Sequence, residues 1–99
     1  MQSTYDQIRE RPPAIEFHTE KSAEDYLGCI GPRFTEIWPT TNTVRDGSNW
    51  IVTVLVVSQI IATVTIDPTD DGAHVSYRQM NDMTRFNFGR GRAAVESCR

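Results

Sequence analysis

The stretch Asn49–Ile66, NWIVTVLVVSQIIATVTI, decides the fold, because it makes up most of the longest run without a charged residue, 47–66, in this 99-residue chain. The 17 residues from Trp50 to Ile66 match the lower limit for a transmembrane helix. Twelve of those 17 are β-branched, however, and Ser58 and Gln59 fall near the middle. Since β-branched side chains favour strands over helices, we interpret the stretch as two strands joined by a tight turn at Ser58–Gln59, and we expect no membrane span.

A helix is predicted before these strands. Ser22 is a suitable N-cap, and Asp25 stands at the third helical position, where a carboxylate favours the helix start. Gly31 followed by Pro32 is a typical helix exit. The apolar residues that fall on one face at the spacing i, i+3, i+4, i+7 are Ala23, Tyr26, Leu27 and Ile30. The sequence therefore predicts a helix of about two turns that packs on a sheet.

Alternation of apolar and polar residues predicts further strands. Asp46–Gly47 is a two-residue hairpin signal between two of them. The predicted strands are 14–18 (an edge strand after Pro12 and Pro13), 34–38 in part, 40–45, 49–57, 60–66 and 73–79. We therefore predict one small α+β domain over residues 1–99: an antiparallel meander of four or five strands with one main α-helix packed on one face. Residues 1–13 are expected to form a short helix or a loose arm.

The net charge of −3 conceals an asymmetry. Residues 1–84 carry six basic and twelve acidic side chains (net −6), whereas 85–99 carry four basic and one acidic (net +3). A basic C-terminal segment suits an anionic partner. The alternative is a solvated segment that contacts its own acidic domain.

Two cysteines, Cys29 and Cys98, are too few for a disulfide framework, and their spacing forms no zinc or thioredoxin-like motif. Residues 1–11 are polar and do not resemble a secretory signal. The sequence therefore predicts reduced cysteines and a cytoplasmic location.

The main candidate binding residues lie in the Arg-rich segment. Arginine interleaved with aromatic rings suits phosphate and base contacts, or docking on an acidic protein surface. The residues concerned are Arg85, Phe86, Phe88, Arg90 and Arg92. The alternative is a last edge strand with both phenylalanines in the core.

A second candidate set is the acidic turn of Asp67, Asp70 and Asp71. Its carboxylates could occupy positions where a partner binds phosphate. The alternative is a solvated turn, since the spacing does not match a calcium loop.

The sheet itself presents a third surface. One helix covers only part of one face, so that Thr53, Leu55, Val57, Ile61 and Thr63 form a partly apolar surface that marks an interface. The alternative is that the N-terminal segment folds back and covers it with Tyr5, Ile8, Ile15 and Phe17.

No catalytic constellation, metal-ligand spacing or cofactor motif is recognisable in the sequence. We therefore expect a small non-enzymatic protein-binding module, such as an inhibitor, an adaptor or an accessory subunit. It would act by docking or occlusion through the sheet surface, an edge strand and the Arg-rich segment, and homodimerisation is one form this could take. The alternative is a nucleic-acid-binding module that uses the Arg- and Phe-rich segment.

Overall fold

The computed structural model describes residues 4–80 and 87–99, apart from the side chains of Thr4 and Tyr5. It contains α1 (Thr4–Arg9), β1 (Ile15–Thr19), α2 (Ala23–Ile37), β2 (Thr41–Asp46), β3 (Asn49–Val56), β4 (Gln59–Thr69), β5 (Gly72–Gln79) and α3 (Phe88–Ser97). The predicted α+β class is confirmed: five antiparallel strands form one sheet, and α2 is the main helix packed on it. Arg85 and Phe86 of the predicted binding segment lie outside the described residues.

The strands lie in the order β1-β5-β4-β3-β2. The strands β2 to β5 form the predicted meander, and β1 pairs with β5 at the other edge. The apolar stretch 49–66 provides β3 and most of β4 in the centre of the sheet. Among residues 4–80 and 87–99, no helix is long and apolar enough to cross a membrane.

The turn between β3 and β4 lies one residue earlier than predicted, at Val57–Ser58. Both residues have a positive φ, 51° and 65°, which is the backbone of a type I′ hairpin turn. The turn between β2 and β3 is likewise shifted by one, to Gly47–Ser48, with Gly47 at φ 64°. Here glycine takes the position that needs a positive φ at no steric cost.

A bulge corrects the faces of the β3–β4 hairpin. A two-residue turn pairs even-numbered positions with odd-numbered ones, yet the valines and alanine that face the core from both strands, Val52, Val54, Ala62 and Val64, are even-numbered. The register shifts by one at Val54/Leu55, so that Val52 pairs with Val64 and Val54 with Ala62. The extra residue is needed because a one-residue slip turns every side chain to the wrong face.

The predicted exit of α2 at Gly31–Pro32 is wrong, as is the predicted strand at residues 34–38. The helix has 15 residues in all and continues to Ile37, with Pro32 inside it. An interior proline costs about 3 kcal/mol, but the next turn buries Phe34 (0% exposed) and Trp38 (5%) in the core. Two buried aromatic side chains contribute roughly 1.5–3 kcal/mol each, which offsets that cost.

The two faces of the sheet are covered differently. One face packs against α2 and α3 and forms the core. Tyr26, Phe34 and Tyr77 stack there edge to face with Phe17 or with one another. The opposite face is partly covered by α1, which lies over β4 and β5 and buries Ile8.

Residues 88–97 form α3, so that the alternative of a last edge strand is wrong for this part of the chain. The helix packs between α2 and β5. Phe88 is 2% exposed, and its ring centroid lies 6.4 Å from that of Trp38. Gly91 sits so close to Trp38 that a Cβ there would meet the indole at 2.6 Å.

Candidate interaction surface

The helix α3 carries the three residues of the predicted Arg-rich binding set that the structure describes, Phe88, Arg90 and Arg92. Arg90 and Arg92 are exposed on this helix, whereas Phe88 belongs to the core. We therefore assign Phe88 a packing role, because a buried ring cannot stack on a base or insert into a partner. The two arginines remain predicted contact residues.

A disulfide fixes the end of α3. Cys29 and Cys98 are bonded, with Cα atoms 5.8 Å apart, so that the prediction of two reduced cysteines is wrong. The pairing arises because α2 and α3 pack side by side and bring together residues 69 positions apart in sequence.

Polar contacts hold the same end of α3. The Tyr26 hydroxyl donates to the Val95 carbonyl at 2.9 Å, and the Lys21 ammonium donates to the Cys98 carbonyl at 2.7 Å. The C-terminal basic segment is therefore a docked part of the domain from Phe88 onward.

The acidic turn lies at the β4–β5 hairpin, where Asp67, Asp70 and Asp71 are all exposed. Asp71 accepts a hydrogen bond from the Thr69 hydroxyl at 3.1 Å, and its Oδ1 lies 3.0 Å from His18 Nε2. These hydrogen bonds, Thr69 first and His18 second, lower the pKa of the Asp71 carboxyl below its usual value. In residues 4–80 and 87–99, no hydrogen bond or ion pair joins this turn to Arg90 or Arg92.

The two histidines are direct cross-strand neighbours. His18 of β1 pairs with His74 of β5, and His74 Nε2 lies 3.1 Å from the Glu16 carboxylate. Each ring thus has a carboxylate at hydrogen-bonding distance. Within the described ranges 4–80 and 87–99, no group of three or more His, Cys, Asp or Glu side chains is placed to hold a metal ion.

The two alternatives for the second sheet face are each partly correct. Ile8 of α1 covers the sheet there, and Thr53 and Thr63 are buried, whereas Ile61 is part of the hydrophobic core. Phe17, by contrast, packs in the core on the α2 side. Val57 is 91% exposed at the tip of the β3–β4 hairpin.

An open groove lies on this second face, over β2 and β3, on the half that α1 leaves uncovered. It has a volume of about 450 Å³. The apolar part of its lining comes from Val44, Ile51, Thr53 and Ile60, and Arg45 and Asp46 also border it. Val44 is 46% exposed, and with Val57 it is one of the large apolar side chains left in solvent within the described part of the chain. We call this feature the β2 groove.

The strand β2 forms one wall of the β2 groove and lies at one of the two edges of the sheet, where no strand of the described residues pairs with its outer side. Five of its six residues, Asn42 to Asp46, are exposed. Sequence reasoning predicted the strand but not the groove. The available signal was Val44, a single apolar residue in the otherwise polar strand TNTVRD.

Comparisons with known proteins give no relative for this chain. It matches no protein-family model, and neither the curated proteins nor the solved structures include a significant match.

Proposed function

We propose that this chain is a small protein-binding module that docks an extended segment of a partner along β2 and over the β2 groove. The observation that carries the proposal is the coincidence of a free sheet edge with an apolar groove beside it. An unpaired edge offers backbone donors and acceptors, which give affinity, and pockets for alternate side chains give specificity. Val44 supplies apolar contact at the centre of the edge.

The chemistry of the remaining candidate residues supports a binding role over a catalytic one. The Cys29 thiol is bonded to Cys98, and the bond leaves no thiolate to act as a nucleophile. His18 and His74 are each held against a carboxylate at the surface of the sheet.

The nucleic-acid alternative is weaker, because Phe88 is buried and is lost as a stacking ring. Arg90 and Arg92 then provide phosphate contacts without that base-stacking partner. Binding through phosphate contacts alone weakens steeply with salt.

Capture from an extract of the native host tests the docking mode. The baits are the unchanged chain, Thr43→Pro and the double variant Arg90→Glu/Arg92→Glu. Proline on an edge strand removes a solvent-facing N–H and leaves the rest of the strand in place. We expect the unchanged chain and the double variant to retain the same protein, and Thr43→Pro to lose it.

Two outcomes would contradict the proposal. Retention of the captured protein by Thr43→Pro excludes docking on the β2 edge. If only the variant Arg90→Glu/Arg92→Glu fails to retain the protein, the binding site lies on α3. Failure of every bait to retain a protein, a second copy of this chain included, excludes the binding module itself.

The cysteines also bear on the location of the chain in the cell. The cytoplasmic location predicted from the sequence rested on reduced cysteines and on residues 1–11, which do not resemble a secretory signal, whereas disulfides form and persist mainly in oxidising compartments. The bond between Cys29 and Cys98 therefore favours an oxidising compartment. Thiol labelling of the native protein after acid quenching checks this: no label on either cysteine is expected, and two labels would restore the cytoplasmic prediction.

A further inference from the structure

The two edges of the sheet differ in how they are protected. β1 has five residues, directly follows the segment that contains Pro12 and Pro13, and carries Glu16 and His18. Prolines, charges and short length are the usual devices that block unwanted strand pairing. β2 has six residues, TNTVRD, and its first four carry neither charge nor proline. The charges of β2 are confined to Arg45 and Asp46 at its end, and the edge that bears the groove is therefore the less protected one.

The backbone of β2 presents a regular set of free groups. Asp46 and Asn49 flank the two-residue turn and form the hydrogen-bonded closing pair of the hairpin. Because antiparallel pairs alternate, the N–H and C=O groups of Asp46, Val44 and Asn42 point towards β3. Those of Thr43 and Arg45 point outward, away from the sheet.

We propose that a second copy of this chain occupies the edge, with the two β2 strands antiparallel about a two-fold axis at Val44. This inference rests on the proposed function and names the partner of that surface. Thr43 then faces Arg45 of the second copy in a hydrogen-bonded pair, and the outward N–H and C=O groups of both residues are satisfied. Two five-stranded sheets become one continuous sheet of ten strands.

The side chains of β2 are complementary to themselves in this register. Val44 meets Val44 of the second copy in a non-hydrogen-bonded pair, where side chains approach most closely. Asn42 lies opposite Asp46 of the second copy, so that an amide faces a carboxylate. No two like charges lie directly opposite each other, and the two β2 grooves meet at the axis.

The size of the contact predicts a reversible dimer. Six residues of strand span about 20 Å, and an interface of this kind lies at the small end of specific ones, below about 1,200 Å². We therefore expect reversible self-association with a dissociation constant in the micromolar range or higher.

Sedimentation velocity over a concentration series tests the proposal. Val44→Lys places two like charges opposite each other and should weaken self-association by more than about tenfold. Thr43→Pro should weaken it as well, since it removes one of the outward N–H groups. The matched control is Val57→Lys, the same substitution at an exposed valine away from the edge, which should dimerise as the unchanged chain does.

The register has its own test. Val44→Lys and Val44→Glu should each fail to dimerise alone and should dimerise when mixed, because opposite charges then face each other across the axis. Absence of this rescue would overturn pairing at Val44, and an unchanged chain that stays monomeric throughout would overturn the second copy as partner. A monomer that still captures another protein in a Thr43→Pro-sensitive way would refute the dimer and leave the proposed function standing.

Discussion

Removal of the disulfide should cost this domain a large part of its stability. Cys29 and Cys98 are 69 positions apart, so that the bond closes a loop of about 70 residues in the unfolded chain. The loop-entropy relation gives about 4 kcal/mol for a loop of that length. Domains of this size have a total stability of roughly 5–15 kcal/mol, and the bond is therefore a major contributor.

The native state should survive the loss of the bond. Val95 is fully buried, and the hydrogen bond from Tyr26 to its carbonyl does not depend on the disulfide. We therefore expect α3 to remain docked, with the cost falling on the free energy of unfolding rather than on the native structure.

The assay is urea unfolding of three samples: the oxidised chain, the chain reduced with a phosphine, and the variant Cys29→Ala/Cys98→Ala. The reduced chain and the variant should both lose about 4 kcal/mol of unfolding free energy, and the melting temperature should fall by roughly 15–30 °C. Their m-values should rise, because the unfolded chain without the crosslink is less compact. A loss of less than about 1 kcal/mol in both samples, or an m-value that does not change, would refute the reasoning.

Three further predictions concern single residues. Val57→Asn should raise the free energy of unfolding by about 1 kcal/mol, because a β-branched residue at φ 51° is strained and asparagine tolerates this backbone; an unchanged urea midpoint would contradict it. Tyr26→Phe should lower the free energy of unfolding by about 1 kcal/mol, since it removes the hydrogen bond to the Val95 carbonyl. Tyr77→Phe should not lower it, because the buried Tyr77 hydroxyl has no partner in the described residues. Equal losses in the two variants would contradict this. Burial raises the pKa of both tyrosines well above the usual value. Their contribution to the free energy of unfolding is therefore complete below about pH 10 and falls at higher pH, because only the unfolded chain releases the two protons there. Urea midpoints that do not fall between about pH 9 and pH 11 would contradict this.

The elements predicted correctly are those that local sequence determines. Alternation along β3 to β5 requires only the near neighbours of each residue, and the helix start at Ser22 depends on one hydrogen bond, from the Asp25 N–H to the serine hydroxyl at 3.1 Å. Both signals are visible within a few positions of the chain. The polar residues Ser58 and Gln59 predict the β3–β4 turn one residue later than the structure has it. The bulge near Val54 allows the earlier turn while keeping the apolar side chains in the core, and the local pattern does not reveal this bulge.

The features that the sequence did not predict depend on distant contacts. Gly31–Pro32 is a strong local stop signal, and it fails only because Phe34 and Trp38 fill the core beyond it. The disulfide requires two helices to pack side by side, and the groove at Val44 requires α1 to cover one half of a sheet face and leave the other open. Long-range packing of this kind outweighs local propensity.

The docking of α3 changes the meaning of the charge asymmetry. A loose basic tail would search for an anionic partner over a wide volume and lose conformational entropy on binding. From Phe88 onward this segment is instead held by the disulfide and by Lys21, whose ammonium binds the Cys98 carbonyl. Arg90 and Arg92 are therefore presented on a rigid helix, on the side of the sheet opposite α1 and the β2 groove. Because the two surfaces lie on opposite faces, a partner docked along β2 leaves both arginines accessible to solvent.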